Sequence, residues 1–163
     1  MDNITYRPFL KWAGGKFRLV SRIRGVLPKG NRLIEPFAGS AALWLNTSYS
    51  HALIADVNPD LIQLYHTVQS HSFAFIAAAR ALFTPENNTA ARYYALREEF
   101  NACTDPWRRS VLFLYLNRHG YNGLCRYNAS GGFNVPFGRY HRPYFPEKEL
   151  TFFAEKSQKE HVS

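Results

Sequence analysis

Three stretches carry residue types whose spacing can do chemistry. The first is Glu35-Pro36-Phe37-Ala38-Gly39-Ser40-Ala41, followed 17 residues beyond Gly39 by Asp56. A glycine lets the backbone turn under a ligand, and a carboxylate at the end of the next strand can accept both hydroxyl hydrogens of a ribose. Turns use glycine and strand ends use aspartate for structural reasons too, so this pair alone leaves nucleotide binding open. The second is Phe9-Leu10-Lys11-Trp12-Ala13-Gly14-Gly15-Lys16, an aromatic face between two lysines with a glycine pair that permits close backbone approach. It is not a phosphate-binding P-loop, because Leu10 stands where the leading glycine belongs and Phe17 where a Ser/Thr belongs. A glycine turn beside a buried Trp is the plain alternative. The third stretch, Gly120 to Tyr144, sets Arg126, Arg139, His141 and Arg142 among Tyr121, Tyr127, Phe133, Phe137 and Tyr140. Arginine reaches a guanine edge bidentately, asparagine an adenine edge, and aromatic rings stack on exposed bases. The alternative is a solvated arginine-rich loop.

The elements that must position these residues read as follows. Leu33–Leu43 is a strand, a tight small-residue turn and the start of a helix; Ala52–Asn58 is a second short apolar strand ending in an acid. Asn58-Pro59 looks like an N-cap with a first-turn proline, after which Leu61, Leu64, Tyr65 and Val68 recur at helical spacing. Strand–helix–strand–helix opens an α/β fold with a parallel pair. Further helices are expected around Phe73–Arg80, from Ala90 to Asn101, and from the Asp105-Pro106 cap through Tyr115. Asn128-Ala129-Ser130-Gly131-Gly132 is a turn whose flanks pair as an irregular exposed hairpin, since Pro136 and Gly138 argue against a central strand. Pro143 to Ser163 is a final, partly helical, charged stretch.

The charge is a second clue. The chain has 163 residues with 20 Lys+Arg against 12 Asp+Glu, a net of +8. Residues 1–34 net +7, 35–100 net −3, 101–143 net +5 and 144–163 net −1. Two basic blocks brought together by the fold would make a polyanion-binding face, with nucleic acid the first candidate. Aromatic residues are 16% of the chain, and most are expected to fill the core. No run approaches the roughly 18 apolar residues of a membrane span, and the N-terminus lacks a signal peptide's apolar stretch, so a cytoplasmic protein is expected, with no membrane partner. Cys103 and Cys125 are too few for a disulfide scaffold or a zinc site, and no metal is expected.

Taken together, these motifs closely resemble the Dam-type DNA adenine-N6 methyltransferases. Phe9–Lys16 is similar to that family's N-terminal cofactor motif, Ile34–Gly39 to its glycine loop, and Ala55–Asn58 to its ribose-binding acid. Phe113–Asn128 resembles the signature of its recognition domain. The likeness runs over about residues 7–156. It implies an α/β fold: an incomplete S-adenosylmethionine-dependent methyltransferase (Rossmann-like) sheet with an inserted, mainly helical DNA-recognition subdomain. The corresponding segments are 1–59 for the cofactor domain, 60–143 for the recognition subdomain with its hairpin, and 144–163 for a return segment. It also implies S-adenosyl-L-methionine as cofactor and GATC in double-stranded DNA as target. Trp12, Lys16, Glu35, Gly39 and Asp56 are the implied cofactor residues. Lys11, Tyr121, Asn122, Leu124, Arg126 and Pro136 would lie at the bases, and Arg97, Asn128, Arg139 and Tyr140 at phosphates or flanking positions.

Two departures from the family pattern matter. Many members carry a second glycine where this chain has Ala41, and alanine fits there only if its φ is negative. The family's methyl transfer uses a later Asp-Pro-Pro-Tyr segment, whose aspartate accepts an N6 hydrogen and whose tyrosine stacks on the flipped base. No such tetrapeptide occurs here, so no catalytic residue is assigned and the chain is expected to be inactive alone. The competing expectations are a non-catalytic DNA-binding remnant that occupies methylation sites, and one half of a split enzyme with a complementing catalytic fragment. Such a chain should bury a helical core yet leave sheet surface exposed.

Overall fold

Side-chain caps set the helix starts. The Asn58 side chain accepts a hydrogen bond from Leu61 N–H at 3.1 Å and opens α3 (Pro59–Arg80). Thr89 caps α4 (Ala90–Ala102) through Arg92 N–H, and Asp105 caps α5 (Pro106–His119) through Arg108 N–H at 2.8 Å. Each cap satisfies an amide that the first helical turn leaves without a partner. The two segments expected on either side of residue 70 form one element, α3, broken at His71, whose φ of −140° and ψ of 40° are not helical. The remaining helices are α1 (Val20–Arg24), α2 (Ala42–Leu45) and α6 (Glu147–Lys159). The computed structural model describes residues 5–163, so the first four residues of the expected 1–59 segment lie outside the described residues.

Strands β1 (Arg32–Glu35) and β2 (His51–Ile54) pair in parallel, with Leu33 opposite Ala52 and Glu35 opposite Ile54. His51 and Ala55 donate to the β1 side, to Asn31 and Glu35 carbonyls, whereas Ile54 N–H donates to Ser163 O and Ser163 N–H to Ala52 O. Strand β2 therefore has chain on both edges. Alternation places Leu33 and Glu35 inward and Arg32 and Ile34 outward, where Ile34 remains 58% exposed. Exposed apolar side chains continue past the strand ends at Phe37 and Val57. The fold is thus mixed α/β, with a two-stranded sheet and predominant helix.

Helix α5 is the central post. Every residue from Ser110 to His119 is buried, and α3 and α4 pack against it while α6 packs on α3. Aromatic contacts lock the sheet side: Phe153 of α6 meets Phe9 at 5.2 Å and Trp44 at 5.1 Å edge-on and stacks on Tyr65 at 4.9 Å between ring centroids. Much of the aromatic content is accordingly core. The 120–144 segment is irregular as expected, held by single bridges between Tyr127 and Phe133 and between Gly120 and Phe137. Its inner face is less exposed than the sequence suggests, because Phe133 and Val135 are buried in the core.

Candidate cofactor and nucleic-acid site

The carboxyl ends of β1 and β2 set the first half of the site. Asp56, just past β2, accepts Gly39 N–H on one oxygen at 2.9 Å and Asn58 N–H on the other at 3.0 Å. Each oxygen keeps a further lone pair, so the carboxylate ties the glycine loop to β2 and can still receive hydroxyl hydrogens. Glu35 is buried beneath the loop, and accepts Trp44 N–H and Lys16 Nζ, each at 3.3 Å. Burial raises its pKa above the ordinary carboxylate range, and the Lys16 ammonium works against that rise. Lys16 also donates to the Phe37 carbonyl, and the buried Tyr65 hydroxyl to the Gly39 carbonyl.

Gly39 is required by its neighbour. Its φ is +51°, and a Cβ there would sit 2.9 Å from Cδ1 of Trp12. The half-buried Trp12 indole therefore lies directly on the loop backbone, which is more than a turn beside a core tryptophan. The expectation for Ala41 is overturned: its φ is +57°, the left-handed region. Its methyl is fully buried, and the loop gains packing there while it carries the conformational cost.

Most of the residues expected at the bases gather around Lys11, one residue before Trp12. The Asn117 side chain of α5 accepts Lys11 N–H at 3.0 Å and donates to Lys11 O at 2.7 Å. The Lys11 ammonium stands 4.1 Å over the Tyr140 ring, and the Tyr140 hydroxyl accepts Asn122 N–H at 2.9 Å. Gly123, at φ +60°, leaves room for the Lys11 stem. Tyr121 N–H donates to Pro136 O at 2.9 Å, which joins the turn after α5 to the far side of the hairpin, and Leu124 packs half-buried on the core. Five of the six implied base residues (Lys11, Tyr121, Asn122, Leu124 and Pro136) and Tyr140 thus share one neighbourhood. Burial and the nearby Arg118 lower the Lys11 pKa.

Arg126 lies farther along, exposed on the hairpin beside Asn134. Asn128 closes the hairpin turn, its side chain accepting Ser130 and Gly132 N–H groups, and is a turn-former in this structure. Arg139, at φ +56°, is exposed. Arg97 donates to Val135 O at 3.2 Å and stacks 4.8 Å over Tyr94.

The second basic block divides by use. Arg108 pairs with Glu99, Arg109 pairs with Asp60 and donates to two carbonyls, and Arg118 is buried with Nε donating to Phe9 O at 3.0 Å. Arg126, Arg139 and Arg142 remain outward. One cleft of about 670 Å³ is lined by Arg7, Lys11 and Arg18 of the first block with Trp12, Ser40 and Glu149, and the second block reaches it through the buried Arg118. The sequence reading missed Asn117, Asn134 and Tyr65. A polar residue at an inward position of an otherwise apolar helix was the available signal for Asn117. It also missed the exposed apolar pair that flanks the loop, Phe37 and Val57, for which the strand-end position was the only cue.

The D12 class N6 adenine-specific DNA methyltransferase model matches residues 12–163. A curated relative called DNA adenine methylase from Salmonella typhimurium is 61% identical over 152 residues. Those from Escherichia coli K12 and Vibrio cholerae O1 El Tor are 60% identical over 152 residues and 53% over 153. These matches cover 93–94% of this chain but 55% of each relative, so the chain spans about half the length of the curated proteins it matches. Among the described residues no helix is long and apolar enough to cross a membrane. With Lys11 set over Tyr140, Trp12 lying on the glycine loop, and the family model matching residues 12–163, which include that loop and Tyr140, this chain belongs to the D12 class N6 adenine-specific DNA methyltransferases.

Proposed function

We propose that these 163 residues form the cofactor-binding and target-recognition part of an enzyme that moves a methyl group from S-adenosyl-L-methionine to adenine N6 in GATC duplex DNA. In this reading residues 1–59 belong to a Rossmann-like cofactor domain, 60–143 to an inserted recognition subdomain and 144–163 to a return toward that domain, and the protein works on DNA in the cytoplasm. The observation that carries it is the Lys11-Trp12 dipeptide, whose first residue stands over Tyr140 while its second lies on Gly39. That arrangement ties the cofactor loop to the base-reading segment through one peptide bond.

The donor set suits the cofactor. Asp56 keeps lone pairs for ribose hydroxyls, the Lys16–Glu35 pair offers both charges to a zwitterionic amino-acid tail, and exposed Phe37 and Val57 give a purine apolar surface. When bound, S-adenosylmethionine supplies an electrophilic methyl on a sulfonium. Trp12 and Gly39 shape the loop beneath it, and Asp56 holds that loop against β2. Lys11, Tyr121, Asn122, Leu124, Arg126 and Pro136 are assigned to the bases, and Arg97, Asn128, Arg139 and Tyr140 to the backbone and flanks. Arg7, Lys11 and Arg18 along the cleft, and the outward Arg126, Arg139 and Arg142, support an anionic duplex as partner.

No residue here is assigned to the transfer step, because the sequence contains no Asp-Pro-Pro-Tyr tetrapeptide. A second reading of how the chain is used is as a DNA-binding component that either occupies sites without methylating them or is completed by a separate catalytic polypeptide. Calorimetry with S-adenosylhomocysteine and fluorescence anisotropy with duplex DNA test the reading together. Saturable cofactor binding that Asp56→Ala weakens at least tenfold, and tighter binding to GATC than to scrambled duplex, are expected. Equal affinity for both duplexes would remove the recognition assignment. Methyl transfer by the purified chain alone would remove the need for a completing polypeptide.

A further inference from the structure

Arg126 is not free to point anywhere. Its Nε donates to Asn134 Oδ1 at 2.8 Å and its Nη2 to Asn134 O at 3.3 Å, while Asn134 N–H donates to Arg126 O at 3.0 Å. The two residues face each other across the hairpin, one step outside the Tyr127–Phe133 bridge. That hairpin is braced from below. Asn101 of α4 accepts Phe133 N–H at 2.8 Å and donates to Phe133 O at 3.1 Å, and the Tyr127 hydroxyl donates to Asp60 of α3 at 2.7 Å. Among the described residues Arg126 makes no ion pair, so its charge is not consumed within the chain.

A guanidinium offers paired N–H groups along two usable edges, the Nε/Nη2 side and the Nη1/Nη2 end. Asn134 occupies the side edge. The end edge, with one hydrogen from each Nη, is left outward, and this is the fork that meets guanine O6 and N7 bidentately. We infer that Asn134 is a positioning residue for sequence readout, holding the Arg126 guanidinium so that it reads one guanine end-on. This rests on the proposed GATC recognition and assigns it a geometry. An Arg126 without Asn134 would keep its charge and its attraction to phosphate, yet lose the fixed plane that distinguishes one base pair from another.

The test measures dissociation constants of the full 163-residue chain by anisotropy at one fixed salt concentration. The probes are a GATC duplex, duplexes with each G·C pair of the site replaced by A·T, and a scrambled duplex. The wild-type chain and Arg126→Ala establish which pair Arg126 reads. Asn134→Ala is expected to cut the preference at that same pair by about tenfold, with little change on scrambled DNA. Asn134→Asp, which keeps an acceptor for Nε, is expected to retain most of the preference. Thermal melts check that each variant is folded. If Asn134→Ala weakens all duplexes equally, Asn134 contributes affinity without readout and the inference is overturned. An unchanged preference in folded Asn134→Ala also overturns it, with the recognition reading intact. A wild-type chain without GATC preference removes that reading and this inference together.

Discussion

The Asn117 carboxamide holds both backbone polar groups of Lys11, accepting from its N–H at 3.0 Å and donating to its carbonyl at 2.7 Å. The two residues are 106 positions apart, and Asn117 is 3% exposed. This is a strand-like pairing made by a side chain, and it pins the N-terminal motif to the central helix. Asn117→Ala is therefore expected to cost about 2–4 kcal/mol, since it deletes two hydrogen bonds and leaves shielded backbone groups unpaired. Urea denaturation measures it. Asn117→Asp keeps the acceptor but loses the donor, and should restore at most part of the loss.

At Gly123 the space between the motif and the recognition turn is already full. A Cβ there would lie 2.2 Å from Lys11 Cβ, with φ at +60°. Gly123→Ala should displace Lys11 or the turn and lower duplex affinity at least tenfold, whereas Gly131→Ala, also at positive φ but with open space around it, should change affinity by less than about twofold. Anisotropy titrations of the two variants side by side separate crowding from backbone strain.

Ala41 poses the opposite question. A left-handed alanine costs roughly 1–2 kcal/mol, while its buried methyl contributes roughly 0.8 kcal/mol and glycine would add unfolded-state entropy of about 0.4–1 kcal/mol. These offsets nearly cancel, so Ala41→Gly should shift stability by less than about 1 kcal/mol. Ala79→Gly, buried within α3, has no strain to relieve and should cost about 2 kcal/mol. Parallel denaturant melts give both values.

Acid should weaken this fold through His119. Its Nδ1–H donates to Tyr115 O at 3.0 Å, its ring stacks on Tyr115 at 3.9 Å, and burial lowers its pKa to about 4. A depressed folded pKa means that the unfolded chain binds the proton first. Stability is thus intact above about pH 6.5 and lost as pH falls toward 4, by roughly 3 kcal/mol across that window. Replacing the ring in His119→Phe should flatten the pH dependence of the denaturation midpoint between pH 6.5 and 4.

Local signals made much of the molecule legible. Asn58-Pro59 and Asp105-Pro106 announce helix starts because capping chemistry needs only residues a few positions apart. The strand, glycine loop and acid around Gly39 and Asp56 were readable from local pattern, whereas the Asp56–Gly39 hydrogen bond, across 17 positions, came only with the fold. The division of α3 was legible as two stretches of helical spacing, but its position at His71 was not, because the flanks both keep that spacing. Nor was the sign of φ at Ala41, which is set by the buried packing of the whole loop and not by alanine's own preference.

Which charges are available was likewise beyond the sequence. Arg108, Arg109, Arg118 and Arg126 count equally toward +8, yet the fold pairs the first two with Glu99 and Asp60, buries the third and leaves the fourth without a carboxylate. The sequence by itself determined the elements, the motif that belongs to this family, and the residue types that can meet a nucleotide and a base. Only the tertiary structure decided that Lys11 meets Tyr140 while Trp12 lies on Gly39, that Asn117 holds the Lys11 backbone, and that Asn134 occupies one edge of Arg126. The Arg126–Asn134 and Lys11–Asn117 hydrogen bonds join residues 8 and 106 positions apart, and Lys11 and Tyr140 lie farther apart still, so these contacts exist only once the chain between them has packed.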